Sequence, residues 1–248
     1  MKILGGCRVY SPEDGRISVE GTWSARSVVS REAGAERITQ TMSEYSAGVS
    51  PGVVNPRAEE VLYVAAGAGA VRVNGFAYPL RAGCAVFVPP GAVYTIENFG
   101  PEKLRVVSSC CPEDAGRRMI DAPAARSGDG PRLMVHEDER EPIRAGKDRV
   151  FRYLVHTDLG CREITQFAGW IPPGKAPFHY HTYEEAIYIL EGRGMVHVDG
   201  GEGEFTAGSS VYFPIGVRHC VENPGGGMIK LLGAFYPSGS PGAAYEDR

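Results

Sequence analysis

No apolar run in this chain of 248 residues approaches the ~20 residues that a membrane-spanning helix requires, so no such helix is expected. Clusters of Lys and Arg are missing too. The 26 basic residues are outnumbered by 30 acidic ones, and a formal net charge of -4 argues against a nucleic-acid partner. There is no C-x-x-C pair. The six cysteines, at 7, 84, 110, 111, 161 and 220, show no disulfide or zinc spacing and read as reduced thiols. The opening stretch MKILGGCRVYSPEDG reaches turn residues before it builds the apolar core of a secretory signal, so a cytoplasmic location is expected. Helical periodicity is weak throughout; PEDAGRRMIDAPAA (112–125) is the one candidate for a short helix.

What the chain does have is 33 Gly and 18 Pro, enough for many tight corners, and an internal repeat. Shifted by 125 positions, EEVLYVAAGAGAVRVNG (59–75) lies over EEAIYILEGRGMVHVDG (184–200) without a gap. In the same register, AGCAVFVPPGAVYTIENFG (82–100) lies over AGSSVYFPIGVRHCVENPG (207–225). VRVNG and VHVDG alternate apolar and polar residues before Asn-Gly or Asp-Gly, a hairpin signal. Strand-like runs recur between Gly/Pro corners, which predicts an all-β chain of two similar barrels or sandwiches. The expected layout is N-terminal strands packing on the barrels (1–33), one domain (34–112), a polar linker (113–148), a second domain (149–240) and a loose tail (241–248).

The second copy contains HYHTYEE (179–185). On a strand, residues two apart share a face, so His179 and His181 point the same way, and neutral imidazole is a common ligand for divalent transition metals. A further ligand from another strand of the same wall would complete a site, with His219 the obvious candidate and Cys220, its neighbour, turned away. His136, His156 and His197 lack such company and read as ordinary residues, His197 facing solvent.

At these residues the chain resembles the cupins. HYHTYEEAIYILEG matches their first motif, H-x-H-x3-E-x6-G, and GSSVYFPIGVRHCVEN matches their second, G-x5-P-x-G-x2-H-x3-N. The glycine ahead of the first histidine, Gly174, is one residue closer than usual. The resemblance covers roughly 34–112 and 149–238, and it implies a bicupin: two tandem cupin barrels of the double-stranded β-helix, or jelly-roll, type. It further implies that His179, His181, Glu185 and His219 bind one divalent transition metal per chain, whether Mn, Fe, Ni, Zn or Cu, with Glu185 favouring the harder ions.

In the first copy the positions of His179, His181 and His219 hold Val54, Pro56 and Tyr94. A small gap brings Asn55 and Arg57 near instead, and Glu60 alone matches a ligand. That barrel is therefore expected to be metal-free, with Tyr94 and Glu60 hydrogen-bonded in the vacated cavity. A repurposed ligand pocket is the alternative.

Around the metal, alternation sends Ile187 inward with Ile189, and Val211, Phe213 and Val221 inward from other strands, giving an apolar substrate pocket. Trp170, Phe178, Tyr180 and Tyr183 cluster near its mouth, where Trp170 is a candidate substrate contact. Arg152 and Gln166 are candidate polar anchors. No catalytic residue beyond the metal ligands stands out.

The resemblance implies a metal-dependent enzyme acting on a small oxygen-bearing organic substrate, with a quercetinase-like dioxygenase favoured. A ureidoglycine aminohydrolase-like hydrolase is one alternative, although that enzyme's metal set of Glu, two His and Gln differs. A cupin isomerase or lyase and a non-catalytic small-molecule binder are others. Oxalate decarboxylases rank lower because they usually carry metal in both barrels. Open barrel edges point to a homodimer.

Overall fold

The structure, a computed structural model, describes residues 1–113, 116–145, 148–240 and 244–245. Among these the regular structure is β-sheet apart from three short 3-10 turns; no α-helix forms, and none is long and apolar enough to cross a membrane. The stretch expected to be helical carries the strand Arg118–Ile120 instead. Four sheets make two barrels.

The first barrel pairs a seven-stranded sheet with a six-stranded one. The seven-stranded sheet runs Met134–His136, Cys84–Val88, Glu59–Ala66, Leu104–Cys111, Thr39–Tyr45, Trp23–Val29 and Arg16–Glu20. In the second barrel an eight-stranded sheet is built around Glu184–Glu191 and Ile229–Tyr236. It faces a six-stranded sheet built on Arg193–Val198 and His219–Asn223. Asn74 (φ 49°) and Gly75 (φ 89°) make the left-handed corner that joins Ala68–Val73 to Phe76–Arg81, and Gly200 (φ 86°) does the same in the second copy.

The repeats exchange edge strands. Cys7–Tyr10, from the start of the chain, pairs with Ser210–Phe213 of the second barrel, and Met134–His136 pairs with Cys84–Val88 of the first. Each added strand covers an edge that would otherwise be open. The segment 113–148 therefore differs from a simple linker. It adds Arg118–Ile120 and Met134–His136 to the first barrel and Ile143–Ala145 to the second. Turn-rich composition describes its corners but not the short strands between them. The tail expected at 241–248 lies outside the described residues except Ala244–Tyr245, whose backbone pairs with His179–Tyr180.

Strand alternation divides the core. Along Glu184–Glu191, Ala186 and Tyr188 pack into a cluster shared with the first barrel, whereas Ile187 and Ile189 fill the interior of the second. Between the barrels, buried Glu184 accepts the backbone N–H of Glu36 (2.7 Å), Arg37 (2.9 Å) and Ile38 (3.1 Å), together with the Tyr212 hydroxyl. Its counterpart at offset 125, Glu59, accepts the N–H of Arg162 (3.0 Å) and Glu163 (2.7 Å) and the Cys161 thiol (3.1 Å).

Candidate metal centre

His179 and His219 are direct register partners on adjacent strands. His181 follows in the turn that leads to Glu184–Glu191, where Gly216 N–H bonds its carbonyl (2.9 Å). Glu185 comes from the facing sheet. Ligand atoms of His179, His181 and His219 lie within 4.8 Å of one another, and Glu185 Oε2 is 3.2 Å from His181 Nε2. His181, His219 and Glu185 are buried, while His179 is half-buried at the open side.

The tautomers suit metal binding. His179 Nδ1 lies 3.0 Å from the Pro177 carbonyl and His219 Nδ1 2.8 Å from the Val217 carbonyl. Only a protonated Nδ1 can donate to a carbonyl, which makes Nε2 the nitrogen of each ring with the lone pair that could ligate an ion. Burial lowers the pKa of His219 to about 3, helped by the neighbouring imidazoles, and burial lowers His179 as well, so both stay neutral at pH 7. Burial alone would raise Glu185, but the three histidines outweigh it and its pKa is lowered. Three imidazole nitrogens and one carboxylate fit a divalent ion with coordination positions left over.

Aromatic rings fix the imidazoles. Phe213 stacks on His219 (4.0 Å between centroids), and Tyr183 stacks on His181 (4.5 Å) and on Phe235 (4.3 Å). Ile187, Val211, Phe213 and Val221 all belong to the apolar cluster inside this barrel. Trp170 does not. It packs on the opposite face of its strand, beneath Arg152 and Lys230, because Phe167 and Ile171 take the inward positions. Arg152 and Gln166 point away from the cavity with it: Arg152 bonds the Glu137 carbonyl, and Gln166, fully buried, shares the parity of Ala168 and Trp170. The period of a strand sorts residues into two sets without saying which set faces inward. His197 is not a solvent-facing residue either; its side chain is 14% exposed and Nε2 lies 2.7 Å from Glu222.

Basic groups missed in the sequence lie close to the histidine-bearing strands. Arg149 donates to the Val221 carbonyl (2.8 Å), two residues along the strand from His219, and its charge contributes to lowering His179. Arg218 and Lys175 lie over the Phe178 ring, 4.7 and 5.9 Å from its centre. Arg149 lies 30 residues before the motif, and strand pairing alone brings it there.

In the first barrel, Glu60 is fully buried and accepts from Tyr94 Oη (3.1 Å) and Asn55 Nδ2 (2.5 Å). The Tyr94–Glu60 bond is the one expected from sequence; the cation beside it is not. Arg117 Nη2 donates to Tyr94 Oη (3.1 Å), Nη1 lies 3.7 Å from Glu60, and the guanidinium sits 5.5 Å from the Trp23 ring centre. A guanidinium thus balances the carboxylate that in the second barrel faces three imidazoles.

The cupin-domain family matches residues 45–110 and 170–235, one stretch in each barrel, and the chain belongs to that family as a bicupin. An uncharacterized protein of Methanocaldococcus jannaschii is 33% identical over 108 residues, 42% of this chain and 86% of that protein. The Escherichia coli HTH-type transcriptional regulator PuuR is 25% identical over 112 residues, 44% of this chain and 60% of the regulator. Mannose-1-phosphate guanylyltransferase of Salmonella montevideo is 41% identical over 54 residues, 22% of this chain, which spans only 11% of that enzyme's length. Among solved structures, oxalate decarboxylase of Bacillus subtilis superposes with a TM-score of 0.75 at 17% identity, over 93% of this chain and 76% of that one. At that identity the likeness is one of fold. Another structure of that enzyme is concerned with its Mn(II) centres.

Proposed function

We propose that the second barrel is a mononuclear metal centre, held by His179, His181, Glu185 and His219, that binds and transforms a small oxygen-bearing organic anion. The observation that carries the reading is the set of three convergent imidazoles, with Nδ1 facing a carbonyl at His179 and His219 and a buried carboxylate beside them. A divalent ion there would act as a Lewis acid on substrate oxygen. One carboxylate leaves such a site net positive, and Arg149 adds positive charge near it, while Arg218 and Lys175 are paired with Asp199 and Glu222, so a small anionic substrate is attracted. Phe213, Tyr183, Val221 and Ile187 exclude water and hold the imidazoles in place.

Oxygenase chemistry of the quercetinase kind is the reaction type proposed, with a redox-capable ion. The test is dioxygen uptake by protein reconstituted with Fe, Mn, Ni or Cu, presented with small enols, enediols and carboxylates, with products followed by NMR. Uptake tied to substrate loss, absent in His219→Ala, supports the reading. Substrate loss without uptake replaces oxygenation by isomerisation, lysis or hydrolysis. Anion binding without turnover by any metal form makes the barrel a binding module.

A further inference from the structure

The strand Arg16–Glu20, sequence RISVE, ends the seven-stranded sheet and, among the described residues, pairs only with Trp23–Val29. All five of its residues are exposed, with Ile17 at 56% and Val19 at 70%. Natural sheet edges of this kind are usually blunted by Pro, Lys, a bulge or a covering loop, because an open apolar edge invites another strand. This edge has no Pro, Lys or bulge, its two charges sit at its ends, Arg16 and Glu20, and its register with Trp23–Val29 is regular from Arg16 to Glu20. Arg118–Ile120, at the end of a six-stranded sheet, is also exposed, but two other sheet ends are tied down by a side-chain bond. At Lys2–Leu4, the Lys2 ammonium bonds the Glu202 carbonyl, and at Met134–His136, His136 is bonded to the Ala82 carbonyl (3.0 Å).

We infer that Arg16–Glu20 is a homodimer seam, pairing antiparallel with the same strand of a second copy of this chain about a two-fold axis at Ser18. Two independent features point to this occupant. The first is chemical self-complementarity. Antiparallel pairing centred on Ser18 sets Arg16 against Glu20 of the second copy and Ile17 against its Val19, and the two-fold repeats both contacts. A parallel pairing in register would oppose Arg16 to Arg16 and Glu20 to Glu20, which is unfavourable.

The second feature is backbone geometry. The two-residue turn Gly21–Thr22 makes Glu20 and Trp23 a hydrogen-bonded pair, so Arg16, Ser18 and Glu20 bond inward to the neighbouring strand. Ile17 and Val19 therefore aim their N–H and C=O groups at the open edge. In the two-fold pairing these same residues face each other, and they exchange four hydrogen bonds. Ser18 faces Ser18 in the closer, non-bonded pair, where Cα atoms lie about 4.5 Å apart. Ile17 also borders a cleft of about 490 Å³ lined by Val28, Met42, Tyr188 and Leu190, so Val19 of the second copy extends the apolar surface at its rim. The two seven-stranded sheets would become one continuous sheet of fourteen strands, with the metal barrels outside it.

Sedimentation equilibrium and crosslinking of the full chain test this. The wild type is expected to be a dimer. Val19→Pro removes an outward N–H without touching a bond to Trp23–Val29, and it should leave a folded monomer. Arg16→Glu and Glu20→Arg should each raise the dissociation constant about tenfold or more, and the double exchange should restore it, because the pairing is then complementary again. Ser18→Cys should crosslink copies on mild oxidation, since about 4.5 Å between Cα atoms suits a disulfide, while the wild-type chain should not. A monomeric wild type, a dimer indifferent to Val19→Pro and to charge exchange, or a Ser18→Cys chain that fails to crosslink would each overturn the seam.

Discussion

Glu59 and Glu184, 125 residues apart, do the same job in opposite directions: each carboxylate collects backbone N–H groups from the loop that leads into the other repeat's barrel. The strand exchange and these two clamps make the barrels one unit. Truncating either side leaves several buried donors without an acceptor, at about 1–3 kcal/mol each. Glu184→Ala is expected to cost about 3–4 kcal/mol, or about 10 °C in Tm for a chain of this size. Thermal unfolding checks it, with Glu59→Ala as the matching variant and an exposed Glu102→Ala as the control that should change little.

Glu60 and Arg117 should behave as a pair. Removing one partner leaves the other charge in a nearly closed cavity, at about 2–4 kcal/mol, less than for a fully buried pair because Arg117 is partly exposed. The double variant Glu60→Gln with Arg117→Met is expected to be more stable than the sum of the single changes predicts, which a double-mutant cycle in urea would read. Neither change should add a metal, since Tyr94 and Val54 offer no imidazole.

Gln166 makes the opposite prediction from its counterpart Gln40. Gln40 bonds Ser210 Oγ (2.7 Å), whereas both polar side-chain atoms of fully buried Gln166 find no partner among the described residues. Gln166→Leu is expected to stabilise the chain by about 1 kcal/mol, and Gln40→Leu to destabilise it by about as much. Urea midpoints of the two variants would settle the sign.

For the metal-free protein, stability should fall on acidification in a defined window. An unfolded His219 takes a proton near pH 6.5, whereas the folded one resists until about 3, so the unfolded state binds the extra proton between those values. Stability is therefore flat above about pH 6.5 and declines below it, by about 2 kcal/mol at pH 5 from His219, with His179 adding in the same direction. Melting of chelated protein at pH 8, 6.5 and 5 would show it, and His219→Ala should flatten the decline.

What the sequence reveals here follows the range of each physical cause. The two barrels are legible because glycines at left-handed corners, such as Gly67 and Gly192 or Gly83 and Gly208, cannot be exchanged freely and so hold the offset. Of the four candidate ligands, His179 and His181 are legible from their local spacing, whereas the full set with Glu185 and His219 is legible through the resemblance to the two cupin motifs. Asn98 and Asn223 match for a reason of folding, each pinning two carbonyls in equivalent turns. Trp170 was misplaced because parity names a set of residues and not a side. Arg117, Arg149 and the Glu59/Glu184 clamps stayed hidden because each works across strands or barrels that are distant in the chain.

The central claim is one metal centre in two barrels, and metal content per mole of chain, by plasma mass spectrometry on untagged protein purified without chelator, tests it most directly. The account predicts close to one equivalent in the wild type and in Arg117→Met, and close to none in His219→Ala. Two equivalents in the wild type, or none after exposure to Mn, Fe, Ni, Cu and Zn in turn, would contradict it.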